Sequence, residues 1–382
     1  MMTHRERFLK AISHEEPDMV PVAAGLDMKF VELLTGKKAI REMGAHHGGG
    51  SGVEDASSSQ DYHRSNLMNQ KLRFEAVQRL GTDVYSVSDY NIYPNDYVPK
   101  MLDEYTYVDF WGKTYRLAPE VDTNYWVDGV IKTEEDLDKF EPPDPDDMNY
   151  DIVDLAVKLG GDQYPVVGGI HLAGMFPYLM RGGLDKYCRD IYLNREFARR
   201  LTKMVGDIQL KVAMNMIDRG VDAISESDDI AGKDGPFYRL PIFRELIFPY
   251  IEEAVRICHR HGITYLKHSD GNLYPILDEL VGLGIDGLNP IEPQVMDIGD
   301  IKRRYGGRVY IQGNVDCTWI LPYGAEEDVR RDVRRCIDAA AGGGGFVLSE
   351  SNSMHPNVRY ENILTYMDEA RKYGKYPLRR QT

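Results

Sequence analysis

Eight short segments rich in β-branched and apolar residues recur along the chain, and they constrain its fold more than any other feature. They are Val20–Gly25, Asp83–Asp89, Tyr164–Ile170, Asp222–Asp228, Ile263–Ser269, Gly287–Pro293, Val309–Asp316 and Gly345–Ser351. Apolar runs of this length, most of them ending in small or polar residues, suit strands buried on both faces of a parallel sheet. Amphipathic helical patterns lie between several of them. From Asn194 to Arg219 the residues Phe197, Leu201, Met204, Val205, Ile208, Val212 and Met216 share one face, with Asn194 placed to cap the start and Gly220 the end. A second helix is expected over about 241–261 and a third over about 325–341, the latter running through four glycines into Phe-Val-Leu-Ser-Glu. Eight strands with helical crossovers predict an α/β fold, a single (β/α)8 TIM barrel occupying residues 1–382 as one domain. An open doubly wound sheet is the alternative.

Two regions break the alternation. Residues 44–66 are too polar and glycine-rich to pack, so a flexible Gly-rich loop is expected there, one that could serve as a lid. The pair His46-His47 within it reads as solvated. Residues 97–132 carry Tyr107, Phe110, Trp111, Tyr115 and Trp126 around Gly112-Lys113 and read as an antiparallel excursion.

Composition narrows the partners. With 46 basic and 61 acidic residues the formal charge is −15, which disfavours a nucleic-acid backbone or an anionic membrane and favours a small molecule or another protein. No apolar run is long enough to span a bilayer, and the start Met-Met-Thr-His-Arg-Glu-Arg has no secretory character. Cys188, Cys258, Cys317 and Cys336 lie far apart and form no Cys-x-x-Cys pair, so a reducing, cytoplasmic setting is expected.

The expected strand ends concentrate chemistry. They hold Asp89; Glu226, Asp228 and Asp229; His268 and Asp270; Asn314 and Asp316; and Glu350, Asn352 and His355. Burying so many carboxylates unpaired costs several kcal/mol each, by order of magnitude, so a metal, protonation or solvent must compensate. His268 and Asp270 stand two apart and share a face in extended backbone, so they could grip a divalent metal with Glu226 arriving from the preceding strand. The competing reading is a buried histidine hydrogen-bonded to a carboxylate. Asp89 could equally cap the helix after its strand, and Tyr178 taken alone reads as core.

The order of these residues and their surroundings resembles the uroporphyrinogen decarboxylase superfamily, which includes corrinoid-dependent methyltransferases. The likeness starts at Arg-Glu-Arg-Phe-Leu-Lys-Ala-Ile and runs through Gly-Thr-Asp-Val, Tyr-Leu-Met-Arg-Gly-Gly, Asp-Gly-Asn, Gly-Ile-Asp-Gly-Leu-Asn and Gly-Asn-Val-Asp to Tyr-Glu-Asn. It implies a (β/α)8 barrel with its pocket at the carboxyl ends of the strands. It also places Asp89 on the decarboxylases' essential aspartate, Tyr178 on their active-site tyrosine and Ser227 on a substrate-contacting serine.

The chain departs from the decarboxylases after its first strand. Their paired arginines, which bind the acidic arms of the porphyrinogen, are replaced by Ala-Ala-Gly-Leu-Asp-Met-Lys-Phe. A pocket lined by carboxylates would repel a polycarboxylate, so uroporphyrinogen is not the expected substrate. The branch that methylates thiols resembles the chain too, and it holds zinc through a His-x-Cys pair and a later cysteine. Here His268 matches the histidine, while Asp270 and Asn352 stand where the cysteines would be, and an oxygen-rich site suits a harder ligand set.

The resemblance therefore points to the first methyltransferase of an O-demethylase system, moving a methyl group from a methoxylated aromatic to the cobalt of a corrinoid. A poor phenoxide leaving group needs a Lewis acid or a proton on its oxygen. Zinc held by Glu226, His268 and Asp270 could supply the first. Asp89 and Glu226 could supply the second as acids, with Tyr178 beside them. Tyr90, Tyr93 and Tyr178 are then expected to pack the substrate ring, with Ser227 and Asn352 also contacting substrate. No Asp-x-His-x-x-Gly corrinoid signature occurs, so the corrinoid is expected on a separate partner protein that docks at the barrel mouth. The alternatives are a decarboxylase of a smaller acid and a catalytically silent barrel that binds a corrinoid protein.

Overall fold

The computed structural model describes residues 2–40, 58–118 and 123–378. Its centre is a seven-stranded sheet of β1 (Tyr85–Ser88), β2 (Val166–Ile170), β3 (Ala223–Glu226), β4 (Thr264–His268), β5 (Gly287–Asn289), β6 (Tyr310–Val315) and β7 (Phe346–Glu350), in that spatial order. Every pairing is parallel. Sequence neighbours that are also sheet neighbours, joined by helices, are what right-handed crossovers build.

The first expected strand is not one. Of the segment Val20–Gly25 only Val22 bridges β7, at Leu348, while its carbonyl accepts from the Asp83 N–H at 2.7 Å on the side of β1. The ladder stops for two local reasons. Pro21 has no N–H to donate, and the Gly25 N–H goes to the Glu350 carboxylate at 2.5 Å instead of to a backbone carbonyl.

Side chains alternate across each strand, and the two faces sort cleanly. Val87, Ile170, Ile224, Tyr265, Leu288, Ile311 and Leu348 face outward into the core shared with the helices. Ala23, Val167, Ala223, Leu266, Tyr310 and Val347 face inward and form an apolar floor with Phe8 and Ile12 of helix α1 (His4–Ile12). Among the described residues no helix is long and apolar enough to cross a membrane.

The expected helices are present with local corrections. Helix α2 (Ser59–Leu80) begins inside the stretch expected to be loop, because the Ser58 hydroxyl caps the Asp61 N–H and Tyr62, Leu72, Phe74, Val77 and Leu80 are buried. The remainder of that expected loop, 44–57 with His46 and His47, lies outside the described residues. Helix α4 (Arg195–Asp218) comes after α3 (Phe176–Arg181) and an intervening helix at Leu184–Leu193, and Asn194 precedes α4 without a side-chain cap. The helix expected over 241–261 contains a π turn, Phe243–Ile247, before α5 (Phe248–Arg260). Pro249 cannot donate to the Glu245 carbonyl, so the helix widens there.

The antiparallel excursion is a four-stranded sheet of Lys100–Met101, Thr106–Val108, Thr114–Ala118 and Thr123–Asp128. At its central turn the Asp109 carboxylate accepts from the Trp111 and Lys113 N–H groups, at 3.0 and 2.8 Å, and Gly112 adopts φ +75°. Trp111 is buried edge-on against Phe176 with ring centroids 4.8 Å apart, so the excursion is planted on α3 beside the carboxyl ends of the strands.

Candidate active site at the carboxyl ends of the strands

Above its apolar floor the inward face of the curled parallel sheet changes character. On β1 to β6 the inward positions are Ser86 and Ser88, Gly169, Ser225 and Ser227, His268, Asn289 and Gln312, and all of them remain at least partly accessible, while Ser349 on β7 is buried. Parallel barrels ordinarily fill this space with branched apolar side chains. Small and polar residues leave it open, which creates a recess beneath the strand ends.

At the ends of β3 and β4, Asp229, His268 and Asp270 bring one ligand atom each to within 4.8 Å of one another. His268 Nε2 lies 3.6 Å from Asp229 and 3.8 Å from Asp270, too far for good hydrogen bonds. Its Nδ1 is 2.5 Å from the Asn289 side-chain amide oxygen Oδ1, so Nδ1 carries the proton and Nε2 presents a lone pair in the neutral ring. Asp270 Oδ1 is buried and has no hydrogen-bond partner among the described residues, while the Asn352 amide donates to Oδ2. Burial pushes the Asp270 carboxyl up to about 6. Burial acts the same way on Asp229, but the nearby His268 ring, through its polar contact and its charge when protonated, outweighs it and holds Asp229 below the ordinary aspartate value. Burial lowers His268, and Asp229 more than offsets this and raises it. An orphaned carboxylate oxygen, a free imidazole lone pair and a second carboxylate with gaps between them fit a divalent cation.

Glu226, expected as the third ligand, is not there. It faces outward from β3, where Lys267 Nζ donates to Oε1 at 2.8 Å and the Tyr265 hydroxyl to Oε2 at 2.6 Å. Lys267 also donates to the carbonyls of Asp228 and His268, at 2.7 Å each, so all three ammonium protons are used. Glu226 and Lys267 are fully buried, and desolvation raises Glu226 to about 7 against the pull of the lysine. This is an ion pair between sheet and helices, and the carboxylate that stands with His268 and Asp270 is that of Asp229.

The ends of β1 and β2 hold a second constellation. Asp89 is buried, with Oδ2 accepting the His171 backbone N–H at 2.9 Å and Oδ1 lying 3.0 Å from His171 Nδ1. Gln209 of α4, in the orientation that satisfies both ends of its amide, donates to Asp89 Oδ2 and the His171 carbonyl at 3.2 Å. Tyr90 lies over the imidazole, with ring centroids 4.2 Å apart. Burial lowers His171, yet the Asp89 charge and hydrogen bond prevail and raise it. His171 was not anticipated from the sequence. The signal was available, since a polar residue ends the run Val-Val-Gly-Gly-Ile on the inward parity of Gly169.

Asp228 joins the two constellations. Its Oδ2 accepts the Leu172 and Gly174 N–H groups at 2.9 and 2.7 Å, a contact so close that a Cβ on Gly174 would meet the Asp228 Cβ at 2.9 Å. The loop held in this way leads into α3, whose half-buried Tyr178 feels the charges of Asp229 and Asp228 after burial itself has raised its hydroxyl well above the usual tyrosine value. Ser227 is half-buried on the inward face, its N–H donating to the Ile170 carbonyl at 2.8 Å.

Other expected site residues have different employment. Tyr93 is buried against Tyr62 and Tyr97, with Asn66 of α2 donating to its hydroxyl at 3.1 Å, so it packs the helix layer and not a substrate. Asp316 accepts the Thr318 and Trp319 N–H groups, Asn314 donates to the Ile291 carbonyl, and His355 lies 3.2 Å from the Cys317 carbonyl. Glu350 faces outward and is pushed up to about 7 by burial, and its Oε2 lacks a partner among the described residues.

Comparison with known proteins places this architecture. The uroporphyrinogen decarboxylase (URO-D) family pattern matches residues 116–373. The chain belongs to that family. The uroporphyrinogen decarboxylase of Alkalilimnicola ehrlichii is 24% identical over 297 residues, covering 72% of this chain and 76% of the relative. That of Thioalkalivibrio sulfidiphilus is 33% identical over 142 residues, 35% of this chain and 37% of the relative. Among solved structures, a methyltransferase from Methanosarcina mazei superposes with a TM-score of 0.71 at 17% identity over 98% of this chain and 99% of its own. A B12-independent methionine synthase from Shewanella gives 0.52 at 13% identity over 93% and 98%. At these identities the two structures speak for the shared fold alone. The family thus contributes decarboxylases by sequence, and the fold is shared with a methyltransferase.

Proposed function

We propose that this chain is a methyltransferase that removes a methyl group from the oxygen of a methoxylated aromatic, or a similar O-methyl compound, and passes it to the cobalt of a corrinoid held by a separate protein. The observation that carries the reading is the thiolate-free trio Asp229, His268 and Asp270 at the mouth of an open recess, beside Tyr178 and Asp228. In this reading the segment around Val22 completes an eight-membered (β/α)8 barrel.

Zinc fits the trio, held by His268 Nε2 and the two carboxylates, and would supply Lewis acidity to the ether oxygen. The chain's own residues do the rest. Asn289 fixes the His268 ring, the Asn352 amide orients Asp270, and Tyr90 and Tyr178 offer ring faces for the arene. Asp228 holds the loop that sets the height of Tyr178 over the recess. The test combines metal analysis of purified protein with methyl transfer from a panel of methoxyphenols to a reduced corrinoid protein. Bound zinc in near-equal amount to protein and phenol release that requires the corrinoid protein are expected. No methyl transfer from any ether would sink the reading.

The second reading is decarboxylation of a small acid, favoured by the curated relatives and by Asp89, Tyr178 and Ser227 at the positions where the resemblance puts decarboxylase residues. Carbon dioxide release without any corrinoid would select it.

A further inference from the structure

Asp89 is the residue that the family resemblance marks as essential, yet its carboxylate is already engaged. One oxygen takes the His171 backbone N–H and the Gln209 amide, and the other takes His171 Nδ1. The Ser88 hydroxyl adds a further donor to the second oxygen at 3.2 Å, so both oxygens are held by the protein itself. His171 is different. With Nδ1–H held by Asp89, its Nε2 has no hydrogen-bond partner among the described residues, and the residue is the next inward position on its strand above Gly169. A carboxylate that fixes the ring through one nitrogen and leaves the other toward a recess is the arrangement of a general acid–base histidine.

We propose that His171 is the proton donor to the leaving group in this site and that Asp89 acts through it as a positioning residue. The assignment deepens the methyltransferase reading and rests on it for the identity of the leaving group. In that reaction the methyl–oxygen bond breaks and its electron pair stays on oxygen. The methyl group bonds to the cobalt(I) of the corrinoid acceptor, which supplies the electron pair for the new bond. The Nε2 proton passes to the oxygen, giving a phenol and a neutral imidazole that water reprotonates.

The surroundings support a protonated ring. Asp89 comes from the end of β1, Asp228 from the loop after β3, and both favour the cation. The buried Lys113 ammonium, 3.5 Å from Asp109 and 3.8 Å above the Phe176 ring, opposes it from the excursion. Gln209 of α4 and the Tyr90 ring complete the cage without adding charge at neutral pH.

The test exploits leaving-group chemistry. 4-Nitroanisole releases a stable phenoxide that needs little help from a proton, whereas 4-methoxyphenol releases a basic one. His171→Gln keeps a hydrogen-bonding side chain but removes the acid. It is expected to slow single-turnover demethylation of 4-methoxyphenol by about 100-fold or more and that of 4-nitroanisole by less than about 5-fold. Asp89→Asn should reproduce the same split. Equal losses on both donors would assign His171 a structural role, and no loss on either would remove it from the reaction; each outcome overturns the proposal. A second measurement stands apart from turnover. The imidazole of His171, followed by NMR in the full chain, should titrate above the ordinary histidine value and return toward it in Asp89→Asn. If the wild type demethylates no ether, the methyltransferase reading has failed, and the titration alone decides the dyad. An ordinary value that Asp89→Asn leaves unchanged overturns it.

Discussion

Strands β3 and β4 carry charged groups on both of their faces, and the two faces are used in opposite ways. Outward, Glu226 and Lys267 are fully buried, in direct contact at 2.8 Å, and every lysine proton has an acceptor. Inward and at the strand ends, Asp229, His268 and Asp270 are partly accessible, the imidazole lies 3.6 and 3.8 Å from the two carboxylates, and one carboxylate oxygen is left without a partner among the described residues. The outer pair is complete without anything else. The inner trio has the donor types and the spacing that a cation would fill. Carboxylates one to three residues apart in sequence thus have separate jobs, and the parity of the strand assigns them.

The largest effect that could break this contrast is on the outer face. Lys267→Met leaves Glu226 buried without its cation and two carbonyls without their donor. Removing one partner of a buried pair costs about 3–5 kcal/mol, so the midpoint of thermal unfolding should drop sharply. Calorimetry checks it. A loss under about 1 kcal/mol would mean that the Glu226 pair is not the structural element its geometry describes.

Glu350 sharpens the same contrast, because it is an outward carboxyl with no lysine. Burial raises it to about 7, well above the unfolded glutamate value, so the folded state binds the proton more tightly. Its stabilising contribution is fully present below the unfolded value and is lost as pH rises through about 7, where the carboxyl must ionise inside the protein. Glu350→Gln is permanently neutral and can still accept the Gly25 N–H. It should be more stable than wild type at pH 8 by roughly 2–3 kcal/mol, with the difference falling to under about 1 kcal/mol at pH 5. Denaturant titrations at the two pH values test this, and a constant difference across them would rule out ionisation of Glu350 as the cause.

Much of this layout is legible in the sequence, and the limits have physical causes. The strand segments, the excursion around Gly112-Lys113 and the helix at 195–218 follow from apolar periodicity, which burial enforces. Val20–Gly25 shows the alternation of a strand but not its failure, because the cause is a side chain distant in sequence, Glu350, taking the Gly25 N–H. The pairing of His268 with Asp270 follows from their two-residue spacing. The choice between Glu226 and Asp229 does not, since it depends on the register that sets Glu226 opposite Lys267 in the neighbouring strand. Paired residues in parallel strands face the same way, so Glu226 shares the face of Lys267 and not that of His268. Tyr93 illustrates the same limit: a tyrosine four residues beyond Asp89 sits under α2 because the chain turns through the short 3-10 helix Asp89–Asn91.

The smallest expected effect on stability lies on the inner face. His268→Ala removes a partly accessible ring whose contacts to Asp229 and Asp270 are long, and Asn289 keeps its other hydrogen bond, donated to the Gln312 carbonyl at 3.0 Å. Unfolding free energy of the metal-free protein should change by about 1 kcal/mol or less, against several for Lys267→Met on the same strand one residue away. Metal content should nevertheless collapse, because two carboxylates without the imidazole are a poor zinc site. Measured together by calorimetry and elemental analysis, the two variants form a pair with opposite signatures. Lys267→Met loses stability in proportion to the broken ion pair, and His268→Ala keeps its fold while losing the ion. If His268→Ala instead unfolds as readily as Lys267→Met, the inner trio is a structural element as well, and the division of labour between the two faces of β4 does not hold.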